Sequence, residues 1–221
     1  MTPGFHFSVS EYEAAGCNVP SRHPSHEIGF EHLSPEETLL WAVRSQPPAR
    51  LLFHKALHAI LCDTHDPGNV LCELNRRMSS RNLANVAEAA IIVLDHSLHE
   101  LRMAAAGDFL PLIRRPTQTW NEVDRSRGDA PLGMLHAVEY VSLTTKFEHG
   151  MAIFWASPYT LQIRNRESGL YMRSRLLAAL SDDSDSPRLE IETVLEDIRM
   201  FSKPTHVSED ICLMSLRRAF A

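Results

Sequence analysis

Aspartate is absent from the first quarter of the chain: none occurs before Asp63. A site that holds hard divalent cations there has only glutamate to draw on. Positive charge is also short, with 22 Lys and Arg against 28 Asp and Glu and a net charge of −6. That balance argues against non-specific nucleic-acid binding, which needs clustered cations to neutralise phosphates. The pairs Arg114-Arg115 and Arg217-Arg218 are short, lack nearby stacking aromatics, and read as strand ends or solvated faces. No apolar run approaches the roughly 18–20 residues of a membrane span. Met1 to Ser10 carries no basic segment followed by an apolar stretch, so no secretory signal is expected. The four cysteines (Cys17, Cys62, Cys72, Cys212) show no Cys-x-x-Cys spacing. They read as reduced thiols of a cytoplasmic protein, with Cys62, Cys72 and Cys212 expected to be buried. No internal repeat is present.

What is there has ordinary globular content, 44% hydrophobic and 23% charged over 221 residues, and fits a single domain spanning 1–221. Pro48 to Cys62 predicts a helix with Leu51, Leu52, Ala56, Leu57, Ile60 and Leu61 as one wide stripe. Asp66-Pro67 opens a second helix through Met78, with Asp66 as N-cap and Pro67 in the first turn. Ala89 to Asp95, His99 to Ala106 and Phe109 to Arg114 read as strands, with Ala-Gly-Asp as the turn between the last two. Asp108 is then a turn residue rather than a catalytic acid. Ala137 to Lys146 and Gly150 to Trp155 read as a further strand pair about His149-Gly150. Gly169 to Leu180 and Pro187 to Phe201 have helical spacing, joined by the acidic connector Ser181 to Pro187. Ile211 to Arg217 alternates as a terminal strand.

One segment carries two signals. Ser34-Pro35-Glu36-Glu37 is a capping box and predicts a helix through Val43, whereas Thr38 to Val43 also suits a short buried strand. Strands, two helices, several strands, two helices and a strand together define an α+β domain rather than a doubly wound βαβ fold.

The segment Ala90 to Arg114 resembles the centre of the bacterial sporulation stage II E type (PPM-type) metal-dependent serine/threonine phosphatases. Ala105-Ala106-Gly107-Asp108 stands where that family has Asn-Ala-Gly-His, and Pro111-Leu112 follows as it does there. Pro67 to Asn75 resembles the family helix ending in Leu-Asn, and Ala130 to Met134 its Pro-Leu-Gly turn. Glu209-Asp210-Ile211-Cys212-Leu213 resembles its closing Asp-Asp-Ile-Thr-Leu strand. The similarity runs from about Phe7 to Arg218. It implies two packed antiparallel β-sheets flanked by helix pairs, and it turns Thr38 to Val43 into a strand.

The resemblance also implies a chemistry: two manganese or magnesium ions, held by Asp carboxylates, activate a water that attacks phosphorus in line. Carried over position by position, the acidic sites fall on Glu27, on Arg44 where the family has a strand-end Asp, on Ser157-Pro158 where it has Thr-Asp-Gly, and on Glu209-Asp210. Arg164-Asn165 matches the family's downstream Arg-Asn. With carboxylates missing at two positions and a cation at one of them, the expectation is vestigial metal sites, no cofactor and no catalysis. The chain is then a non-catalytic regulatory domain acting through protein–protein binding in a sigma-factor partner-switching pathway. Its implied partner is an anti-sigma antagonist-like protein, and a homodimer is compatible. The alternatives are a divergent phosphatase using Glu27, Glu209, Asp210 and His26 on one metal, or a structural, oligomerising domain. The pairs His26/His32, His54/His58 and His96/His99 have spacings that zinc ligands use, but 12 histidines make close pairs common and no third ligand is specified.

Overall fold

The structure, a computed structural model, describes residues 6–9, 12–19, 26–79, 86–123, 130–180, 184, 186–202 and 211–219. Their order is β1 (His6–Val9), β2 (Tyr12–Val19), β3 (His26–His32), β4 (Glu37–Ser45), α1 (Pro47–Ile60), α2 (Pro67–Met78), β5 (Ala87–Asp95), β6 (Glu100–Ala106) and β7 (Leu110–Arg114). β8 (Asn121–Glu122), β9 (Leu143–Lys146), β10 (Ala152–Ala156), a 3-10 turn at Pro158–Gln162, α3 (Met172–Ala179), α4 (Pro187–Ser202) and β11 (Ile211–Arg218) follow. Two antiparallel sheets result, ordered β1-β2-β11-β10-β7-β8 and β3-β4-β5-β6-β9. The chain divides into two compact units, each built on one sheet.

In the five-stranded unit, alternate residues of the central strands meet the helices. Leu39 and Val43 of β4, Ala87, Ala89, Ile91 and Val93 of β5, and Ala104 and Ala106 of β6 form one core with Phe53, Leu57, Ile60, Leu71 and Leu74. The stripe of α1 is shifted from the expected one: Ala56, Leu57 and Ile60 are buried as expected, but Leu51 is exposed and Ala49 and Phe53 take the buried positions. Asp66 caps α2, accepting from the Asn69 amide at 2.9 Å, with Pro67 in the first turn.

The two signals at residues 34–43 resolve in favour of the strand. Ser34 does make its capping contact, its hydroxyl accepting from the Glu37 amide at 3.0 Å. The contact closes the β3–β4 turn instead of starting a helix. β4 pairs residue for residue with both β3 and β5, and that tertiary pairing overrides the local preference. The Glu37 carboxylate, which a capping box would turn back, instead accepts from Arg102 of β6 and lies 2.6 Å from Nδ1 of His65 in the α1–α2 connection.

In the six-stranded unit, Leu112, Ala152, Phe154, Ala156, Ile211 and Leu213 pack against Tyr171, Leu176, Ile191, Val194, Leu195 and Ile198. A charged group sits among them. Glu190 of α4 is 2% exposed; it accepts from Arg217 at 3.1 Å and from the Ser215 hydroxyl, with Arg114 at 3.8 Å. Arg217 also donates to the Ser184 carbonyl. The carboxylate thus ties α4 to strands β11 and β7.

Three expectations are corrected. Ala137 to Lys146 does not pair with Gly150 to Trp155: only Leu143–Lys146 is a strand, it joins β6, and β10 pairs with β7 and β11. Residues 137–142 run instead along α2, where the Tyr140 amide donates to Cys72 Sγ at 3.3 Å. α3 begins at Met172, because residues 163–171 form a loop closed by hydrogen bonds. Cys62 is exposed, since α1 ends at Ile60 and leaves it beyond the helix's buried stripe; Cys72 is half-buried and Cys212 buried. Among the described residues no helix is long and apolar enough to cross a membrane.

Removing the Glu190 carboxylate takes the buried counter-charge away from Arg217, with Arg114 nearby. Glu190→Ala is expected to cost about 3–5 kcal/mol, read as a lowered urea midpoint. A midpoint within about 0.5 kcal/mol of the parent, the scale of a surface change, would show that the network does not hold α4.

Candidate functional site

Strand periodicity separates the residues that sequence motifs grouped together. Val43 faces the helices, so its neighbour Arg44 lies on the opposite face of the sheet. Glu27 pairs with Val43 and therefore points to the helices. There its carboxylate lies 3.1 Å from Nε2 of His54 and 3.7 Å from Arg50, both on α1. One turn further along, His58 Nδ1 stands 3.7 Å from Glu31. Between these glutamates, Gly29 leaves room for Trp41: a Cβ there would lie 2.5 Å from its indole ring. His54 and His58 share one helix face, as their spacing predicts, and each meets a glutamate of β3.

On the other face, Arg44 stands opposite Glu88 of β5 in register and donates to it at 2.8 Å. Glu88 is the one carboxylate that alternation places on this face of the described strands of the sheet. Its side chain lies over Gly107, which has φ +84°, and a Cβ there would come within 2.4 Å of Glu88 Cγ. The Ala-Gly-Asp turn thus needs its glycine twice over, for the backbone and for the close approach. Asp108 beside it is exposed, in the turn role expected of it. Sequence motifs missed Glu88, because a cross-strand partner 44 residues away leaves no mark in local spacing.

Two of the quoted motifs are physically joined. Asn75, 1% exposed at the end of α2, accepts the Gly133 amide at 2.8 Å and donates to the Leu135 carbonyl at 2.9 Å. The Leu-Asn helix end therefore holds the Pro-Leu-Gly turn. A second polar group lies on the Arg44 face, where Thr38, fully buried, places its hydroxyl 3.0 Å from His32 Nδ1 and 2.8 Å from His96 Nε2. Burial pushes the His96 imidazole below the usual histidine range, and the nearby His32 adds to the effect.

In the six-stranded unit, Ser157 follows β10 and is fully buried. Its amide donates to the Cys212 carbonyl at 2.9 Å, and its hydroxyl accepts the Cys212 amide at 3.3 Å. The hydroxyl is 3.4 Å from that of Thr160. Pro158 opens the 3-10 turn behind it. Ser157 therefore fastens β10 to β11. Glu209 and Asp210 lie outside the described residues, as does the side chain of His26.

Two antiparallel sheets, with α1 and α2 on one and α3 and α4 on the other, are the α+β fold of the PP2C-type phosphatases. Residues 50–219 match the model of the Stage II sporulation protein E (SpoIIE) family, and the chain belongs to that family. No curated protein sequence matches it. The fold resembles the SiaA-PP2C domain of Pseudomonas aeruginosa with a TM-score of 0.76 at 16% identity, over 91% of this chain and 84% of that one. The phosphatase domain of SpoIIE from Bacillus subtilis, with a fragment of its regulatory domain, gives 0.75 at 12% over 92% and 63%. RsbX in complex with magnesium gives 0.70 at 9% over 96% and 98%.

These findings correct two expectations. A domain that is not an enzyme is overturned, because the matched relatives are PP2C phosphatases and the fold points to an enzyme. The absence of a cofactor is overturned with it: magnesium or manganese serves this family, and RsbX is in complex with magnesium. The described residues alone do not fit the ions. No group of three His, Cys, Asp or Glu among them converges as a metal requires, and Glu88 is engaged by Arg44.

Two tests follow. Gly107→Ala is expected to destabilise the chain by more than about 1 kcal/mol, since it combines a positive φ with a collision; an unchanged denaturation midpoint would show that the turn relaxes freely. For His96 the folded chain disfavours the charged imidazole. Its stability contribution is complete above the ordinary value near 6.5 and declines as pH falls below it, until His96 protonates in the folded chain too. The difference in unfolding free energy between pH 7.5 and 5.5 is expected to shrink in His96→Gln, and an equal difference in both proteins would remove His96 as the source.

Proposed function

We propose that this chain, over 1–221, is a single PP2C-type phosphoprotein phosphatase domain of a bacterial partner-switching circuit, acting on a phosphorylated regulatory protein. The observation that carries this reading is the family match over residues 50–219, together with the structural match to a PP2C domain over 91% of the chain. Similarity to the RsbU and RsbW domains of a Mycobacterium tuberculosis protein supports the partner-switching setting, with a TM-score of 0.72 over 99% of this chain and 62% of that one. So does similarity to a structure described as the bacterial stressosome, at 0.66. The implied substrate is a phosphoserine or phosphothreonine of an anti-sigma antagonist-like protein, and such a circuit operates in the cytoplasm.

The reaction is hydrolysis of a phosphomonoester: a water oxygen bonds to phosphorus as the bond to the serine or threonine oxygen breaks. A divalent ion of the kind this family uses would supply the activated water, and the described residues alone do not form its site. The experiment is phosphate release from phosphoserine peptides by the full chain with manganese, with magnesium and with chelator. Turnover with either ion that chelator abolishes is the expected result. Release no faster than in a protein-free control, with both ions at millimolar concentration, would overturn the proposal.

A further inference from the structure

Residues 163–171 form a loop in the six-stranded unit that is unusually well tied for an exposed segment. The Tyr171 amide donates to the Ile163 carbonyl at 2.8 Å, and Arg164 bridges Leu170 across the base. Asn165 is the hub. Its side-chain oxygen accepts from the Glu167 amide at 3.0 Å and the Gly169 amide at 2.8 Å, and its own amide donates to the Gly169 carbonyl at 2.9 Å. Two non-glycine residues are held at positive φ, Ser168 at 65° and Met172 at 54°. That strain persists only where the surroundings over-determine it. Beneath the loop, Tyr171 is buried and donates to Asp197 at 2.7 Å.

What this frame displays is basic and apolar. Leu170 is 42% and Met172 58% exposed, side by side in sequence with Arg164, Arg166 and Arg173. Arg173 and Arg175 are matched by Glu122 and Asp197, each at 2.7 Å. Arg164 donates to the Ser168 carbonyl, and neither it nor Arg166 has a carboxylate within ion-pairing distance among the described residues. Residues 164–175 hold four arginines and one acid, Glu167, in a chain of net charge −6. A positive, pre-ordered surface carrying two exposed apolar side chains on an acidic protein is complementary to an acidic segment with an apolar residue in it.

We infer that the 163–171 loop with Met172 is a docking surface for an acidic segment of the protein partner. Arg164 and Arg166 meet its carboxylates, and Leu170 and Met172 take an apolar side chain. The inference rests on the reading of the chain as acting on a regulatory phosphoprotein, and it names how that partner is held rather than how it is hydrolysed. Pre-ordering by Asn165 means that little loop entropy is lost on binding.

The test measures fluorescence anisotropy of two labelled peptides with the full chain at low salt. One carries Asp and Glu around a phosphoserine and a leucine, and the other carries Lys at the acidic positions. The acidic peptide is expected to bind more tightly and to lose about tenfold in affinity in Arg164→Glu/Arg166→Glu, a few-fold per charge. Asn165→Ala is expected to weaken binding with both arginines in place, and circular dichroism melting checks that the variants fold. Turnover of p-nitrophenyl phosphate, which carries neither the acidic residues nor the leucine of the peptide, should not change in the double variant. Equal binding of the two peptides, or acidic-peptide binding undiminished by the double reversal, would overturn the docking surface. A wild-type chain that binds the acidic peptide but hydrolyses neither substrate would sink the phosphatase reading and leave the docking surface standing.

Discussion

A β-strand offers two faces in strict alternation, and nearly everything in the five-stranded unit follows from which face α1 and α2 claim. Once Leu39 and Val43 are under the helices, Glu27 must point to α1 and Arg44 must point away. No side-chain adjustment brings them together, because the order of the residues has fixed it. The same parity delivers Glu88 to Arg44, Glu37 to Arg102 and His65, and Thr38 to His32 and His96. Polar groups that look scattered along the chain are sorted by one bit of information each.

That sorting explains why the fold was more legible than the site. Helices α1, α2 and α4 write their buried stripe into consecutive turns, and Asp66-Pro67 marks a helix start within a few residues. The β5–β6–β7 run was also readable, since each strand is apolar and the turns carry glycine or polar residues. Local signals failed where long-range pairing decided the outcome. Ser34 makes its cap and the chain still enters a strand; residues 137–142 have strand composition and lie along α2 instead. The Glu88 partnership spans 44 residues, so no window of sequence contains it.

The site suffered from a related limit. Matching motifs one position at a time records which acids are present and not which groups the sheet brings together. The register of Arg44 opposite Glu88 makes this concrete, and membership of the SpoIIE family places the chain among phosphatase folds. Ser157 is a second instance. Its hydroxyl accepts the Cys212 amide and its amide donates to the Cys212 carbonyl, so it fastens β10 to β11.

The buried carboxylate of α4 has a bearing on how this unit can be rebuilt. Its ligands come from two strands, β7 and β11, distant from each other in the chain. A designer who transplants the helix from a relative must carry Arg114, Ser215 and Arg217 along with it, or exchange all of them for hydrocarbon at once. Piecemeal recombination would leave orphaned charge at every intermediate, so these positions are expected to change together or not at all as such sequences diverge.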